Sequence, residues 1–161
     1  MKKVEPQNEH EWLKKLVGNW TSEMTAAMGP DQPPETIRGT EAGRAIGDIW
    51  VVAEGRSEMP GGGVGTTLFQ FGYDVAKQRF VGTFIGSMMT WMWTYDGRLD
   101  ESGKKLILDT EGPDFAVEGK TSKYQDVIEF VDDDYRTLTS QMPGPDGQWA
   151  EFMKIHYRRV K

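Results

Sequence analysis

The sequence has no cysteine and only two histidines among its 161 residues. Without a thiol there are no disulfides, thiolate zinc sites, iron–sulfur clusters or cysteine nucleophiles. With only His10 and His156, a three-histidine zinc site is excluded, and His10-Glu11-Trp12-Leu13-Lys14 is not the H-E-x-x-H pattern. Long apolar runs are missing too. No stretch approaches the ~20 apolar residues of a membrane span, and none follows Lys2-Lys3 as a secretory leader requires. The expectation is a cytoplasmic protein with no membrane partner. Positive charge is in deficit, 19 Lys and Arg against 25 Asp and Glu, which argues against a nucleic-acid partner. The basic tail Lys154, Arg158, Arg159 and Lys161 reads as a solvated strand end. Leucine and alanine are scarce, 7 and 8, against 18 aromatics, 9 Met and 19 Gly, which favours a β protein with many turns over a helix bundle.

One amphipathic helix is predicted at about 7–17, with Pro6 before it, Glu9 and Glu11 near its positive end and Lys14 and Lys15 near its negative end. Trp12, Leu13, Leu16 and Val17 form its apolar stripe, and Gly18 stands where a C′ glycine belongs. Beyond it the pattern turns to period two. Strands are predicted near 20–28, 36–46, 49–58, 66–74, 79–87, 90–99, 105–111, 119–131, 134–142 and 148–159, separated by Gly, Pro and Asp turns such as Gly29-Pro30 and Pro143-Gly144-Pro145-Asp146-Gly147. The links are too short for crossover helices, so the strands run antiparallel in a meander. Closure into an up-and-down barrel of about 8–10 strands removes its edges, with the helix plugging one end. The whole chain, 1–161, reads as one such domain.

Val17-Gly18-Asn19-Trp20 carries a G-x-W at the entry to the first strand. This resembles the first conserved region of the lipocalin and fatty-acid-binding superfamily, the calycins. The resemblance implies that Trp20 packs across the closed barrel end against a basic residue of the last strand; Arg158 or Arg159 is placed for that part, Arg158 being taken first. The wider set Glu9-His10-Glu11-Trp12-Leu13, Gly39-Thr40-Glu41, Gly72-Tyr73-Asp74, Gly86-Ser87-Met88 and Tyr157-Arg158-Arg159 resembles the mainly bacterial family of domain of unknown function 1579, over nearly the whole chain. The resemblance implies a lipocalin-like barrel and no assigned activity. One departure stands out: that pattern reads Trp-Ile-Asp where this chain has Phe84-Ile85-Gly86, so a carboxylate role there does not carry over.

The candidate site is an aromatic and methionine wall. If 90–99 is a strand, Trp91, Trp93 and Tyr95 share one face and Met88, Thr90, Met92 and Thr94 the other. Phe69 and Phe71 on one neighbouring strand and Phe84 on another repeat the theme. Trp91, Trp93, Tyr95, Phe69, Phe71, Phe84 and Met92 are therefore the expected ligand-binding residues, joined by His156. Through His156 the chain resembles haem-binding nitrobindins; no cofactor is otherwise predicted, and no metal or catalytic residue. Pro60-Gly61-Gly62-Gly63 lacks the P-loop lysine and reads as a hairpin loop at the mouth. Glu41, Glu54, Arg56, Asp109 and Asp126 fall within strands, either solvated or gathered into a polar cluster. Three readings follow: a noncatalytic barrel binding a small hydrophobic molecule; a barrel enzyme acting through buried carboxylates; and a homodimeric module with a filled core.

Overall fold

The computed structural model describes residues 1–26 and 31–161. A short helix, α1 (Asn8–Lys14), precedes ten strands: β1 (Gly18–Ala26), β2 (Glu35–Ile46), β3 (Trp50–Glu58), β4 (Val64–Asp74), β5 (Arg79–Gly86), β6 (Trp93–Leu99), β7 (Lys105–Pro113), β8 (Thr121–Asp132), β9 (Tyr135–Pro143) and β10 (Trp149–Arg159). Ala27, Met28 and the turn expected at Gly29-Pro30 lie outside the described residues. Each strand pairs antiparallel with the next, and β1 also pairs with β10, so the sheet closes as a barrel. This is the mainly β, closed antiparallel up-and-down barrel expected from the turn spacing and the short links. Alternation along the strands sends one set of side chains inward, among them Trp20, Phe71, Leu108, Ile128 and Leu138.

The helix is shorter than predicted. It ends at Lys14, and a turn carries the chain through Leu16 into β1. Gly18 is therefore not a helix C′ residue; it opens β1 with φ +125°, and a Cβ there would lie 2.5 Å from Arg159 Nη1. A side chain would be strained by the backbone and would also displace that guanidinium.

Trp12, Leu13 and Leu16 are buried and close one end of the barrel. The Trp12 ring meets Phe80 and Phe130 edge-on, at 6.3 and 5.3 Å, and its Nε1 donates to the Gly103 carbonyl at 2.7 Å. Lys14 reaches Asp48 at 3.3 Å, tying the helix to the β2–β3 turn. His10 is buried and caps the helix: its Nδ1 accepts the Gln7 N–H at 2.9 Å, leaving Nε2 to donate to the Tyr73 carbonyl at 3.2 Å. Among the described residues no helix is long and apolar enough to cross a membrane.

Candidate ligand cavity

Away from α1 the barrel interior opens into a cavity of about 330 Å³, lined by Phe84, Trp93, Tyr95, Thr110, Tyr124 and Asp126 and rimmed by Met59, Met88, Met89 and Phe115. A deeper chamber of about 140 Å³ reaches Glu41, Phe69, Leu138 and Tyr157. The two share Ser57, Thr67, Phe84, Asp126, Met153 and Ile155, and so adjoin within the barrel. The Trp93 ring can stand against the wall because residue 112 is glycine; a Cβ there would come within 2.0–2.8 Å of ring atoms.

The expected wall residues divide. Trp93 and Tyr95 face the mouth, Phe84 faces both chambers, and Phe69 faces the deeper one. Phe71 is buried behind Phe69, with ring centroids 5.3 Å apart, and braces the wall without reaching the cavity. Trp91 and Met92 do not join them, because β6 starts at Trp93 and the Met89 N–H bonds back to the Gly86 carbonyl at 3.3 Å in a turn. Trp91 instead donates from Nε1 to the Glu111 carbonyl at 3.2 Å on the outside and is 38% exposed; Met92 is 56% exposed. Of the face predicted to carry Trp91, Trp93 and Tyr95, only Trp91 is on the surface.

His156 also lies outside. A bulge between Glu151 and Met153 resets the alternation of β10, so that Phe152 and Met153 both reach the cavity while His156 turns outward to bond the Tyr135 hydroxyl at 2.7 Å. No imidazole lines the cavity among the described residues, so an interior haem would find no histidine ligand here.

Polar groups occupy two levels of the interior. Near the floor, Glu41 and Arg136 form a buried ion pair, and the Arg136 guanidinium lies 3.9 Å from the Tyr157 ring centroid and 4.6 Å from that of Trp20. Burial, followed by the Glu41 charge, raises the Tyr157 hydroxyl pKa. Higher up, Asp126 accepts hydrogen bonds from Tyr95 Oη at 2.5 Å and Ser140 Oγ at 2.6 Å. Desolvation raises the Asp126 pKa against the effect of those two bonds, and burial raises that of Tyr95. Of the other strand carboxylates considered, Asp109 faces outward, paired with Arg98 at 2.6 Å, and Glu54 is exposed.

A raised pKa on an acid means that the folded state keeps its proton to higher pH than the unfolded chain does. Stability then falls as pH rises from the ordinary Asp value through the raised one. Asp126→Asn is expected to stabilise the unliganded protein at pH 7 relative to the wild type and to lose that advantage towards pH 4, in urea melts at both pH values. An equal effect at the two would mean that Asp126 desolvation is not the cause.

The family described as protein of unknown function, DUF1579, matches residues 5–159. The chain belongs to it. No curated protein matches the sequence significantly. Two solved structures share the fold: the S-type phycobiliprotein lyase CPES from Guillardia theta, 16% identical over 97% of this chain and 99% of that one with TM-score 0.57, and Rv2717c from M. tuberculosis, 11% identical over 98% and 100% with TM-score 0.63.

In this DUF1579 chain the residue under the floor tryptophan is Arg159, not Arg158. Its guanidinium lies 4.2 Å from the Trp20 ring centroid, and it donates to the Val17 and Lys15 carbonyls at 2.7 and 2.9 Å. Arg158, one residue out of phase, points outward and lies 4.3 Å from the Tyr135 ring centroid. At Phe84-Ile85-Gly86 the missing side chain of Gly86 is filled by Met88, whose sulfur would lie 2.3 Å from a Cβ there. The buried carboxylate lining the mouth is Asp126; Glu58 borders it from β3 and is exposed. Tyr124 and Thr110 had not been singled out as site residues. The period-two run Tyr124, Asp126, Ile128, Phe130 carried the signal for the first; nothing local marks the second.

Proposed function

We propose that this chain binds a small, largely flat hydrophobic molecule in the barrel mouth. The observation that carries the reading is the cavity of about 330 Å³, with an aromatic and methionine lining and a few convergent polar groups. That size and lining suit a drug-sized ligand. The coarse likeness to a phycobiliprotein lyase barrel agrees with a ligand-holding role without specifying the ligand.

The test is titration of the protein with 1-aminoanthracene, retinol and palmitate, followed by tryptophan fluorescence and melting temperature. At least one is expected to quench fluorescence from Trp93 and raise Tm by several degrees, as a ligand held well above its Kd must. Ser57→Phe, which fills space shared by both chambers, is expected to weaken that binding at least ~10-fold while the circular dichroism spectrum is kept. If all three compounds leave both signals unchanged, the reading fails.

A second reading, a barrel enzyme, draws on one observation: a buried carboxyl of raised pKa, bonded to a tyrosine, faces the cavity. On that reading the wild type converts a bound compound of the same panel over hours, by mass spectrometry, and Asp126→Asn leaves it intact.

A further inference from the structure

On the reading that the cavity holds an apolar ligand, we propose that the ligand is a flat aromatic carrying an O–H or N–H donor, which it presents to Thr110 and Asp126. Four successive strands place polar residues on the inner face at one level: Tyr95 on β6, Thr110 on β7, Asp126 on β8 and Ser140 on β9. Asp96↔Asp109 sets Tyr95 beside Thr110 and Asp126↔Ser140 pairs the next two directly, while Thr110, opposite Tyr124, lies diagonal to Asp126, one inward position away along β8. Phe84 and Met153 flank these strands, and the rest of the cavity is lined by Met24 and Ile37 with Ser57, Glu58 and Thr67 on β3 and β4. The buried polar groups of the cavity are therefore concentrated on β6 to β9.

That wall has acceptor capacity left over. Thr110 is only 7% exposed, lines the cavity, and its hydroxyl has no hydrogen-bond partner. A buried hydroxyl left unpaired is costly, and such groups in native proteins are few. Asp126 takes one bond on each oxygen, and a carboxylate has room for about four. Within the described residues no lysine or arginine pairs with Asp126. A ligand donor placed between these two groups satisfies the hydroxyl and supplies the carboxylate with the partner the protein does not provide.

The same arrangement sets a preference against anionic ligands. Among the described residues, Arg136 is held by Glu41 beneath the Trp20 and Tyr157 rings and lines neither chamber, and Arg56, which borders the deeper chamber, is exposed on the outer face of β3. A carboxylate-tailed ligand at the mouth would meet Asp126 with no inward cation beside it, a like-charge contact at low dielectric.

The experiment compares 2-naphthol, its methyl ether and 2-naphthoate by isothermal titration against wild type, Thr110→Val and Asp126→Asn. Wild type is expected to bind 2-naphthol about 10-fold more tightly than the ether, the worth of one good hydrogen bond, and to bind 2-naphthoate most weakly. Each variant is expected to cut the naphthol-to-ether ratio severalfold while changing ether affinity less than about threefold. Thr110→Val is nearly isosteric, so it carries the test if Asp126→Asn disturbs the fold. Naphthol and ether binding within threefold of each other on wild type, or naphthoate binding as tightly as naphthol, overturns the donor assignment and leaves cavity binding standing. Failure of all three compounds to bind overturns both.

Discussion

Replacing Arg136 with methionine is expected to cost about 3–5 kcal/mol, a large part of the stability of an ordinary domain. The side chain is 2% exposed and its charge has one ionic partner, Glu41, itself buried. Removing the guanidinium leaves a carboxylate in the interior without compensation, and that desolvation, more than any lost attraction, is the cost. Packing adds to it, because the guanidinium lies over both the Trp20 and Tyr157 rings. The control is the double variant Arg136→Met with Glu41→Leu, which removes both charges and keeps most of the volume. It is expected to recover much of the loss, since apolar replacements of buried ion pairs are often neutral or better. Urea unfolding of the four members of the cycle measures this. A single variant that costs less than about 1 kcal/mol would show that Glu41 finds water or a proton when its partner is gone.

Trp20→Ala is the second large effect, expected at about 3–5 kcal/mol. The residue is 1% exposed, contacts Phe130 edge-on at 6.4 Å, and donates from Nε1 to the Leu16 carbonyl at 3.1 Å. Truncation opens a void beneath two guanidinium groups and frees the turn joining the helix to the barrel. Trp20→Phe keeps a ring for the cations but loses the donor, so it is expected to cost less than half as much. Coupling should also appear: Trp20→Ala and Arg159→Met are expected to be less than additive, because each removes a contact of the other. Strict additivity would mean that Arg159 stabilises the floor only through its bonds to the helix carbonyls.

The ladder of strands was readable because each is bounded by Gly, Pro or Asp turn chemistry, antiparallel pairing followed from links too short for a crossover helix, and closure from the edges a long meander must remove. What failed to show was local departure from strict alternation. Trp91 and Met92 continue the period-two pattern of Trp93 and Tyr95, yet the chain turns before Trp93, and nothing in Thr90-Trp91-Met92 signals it. On β10 one bulged residue exchanged the two faces, sending His156 out and bringing Phe152 and Met153 together at the mouth. Of the two arginines offered as the Trp20 partner, the one taken first, Arg158, points outward and the other, Arg159, fills the place. The Glu41–Arg136 pair joins residues 95 apart and belongs to the register of a closed sheet, which no window of sequence contains.

Arg159 binds carbonyls of residues 142 and 144 positions earlier in the chain. During synthesis the N-terminal helix therefore emerges long before the group that fastens it, and β1 waits for β10 as its second neighbour. The barrel cannot lock until the ribosome has passed residue 159, so the nascent chain carries its apolar floor unsealed while the other nine strands are made. Contacts of such separation are the slow ones to form. The protein's exposure to misassembly is accordingly concentrated before its last strand arrives.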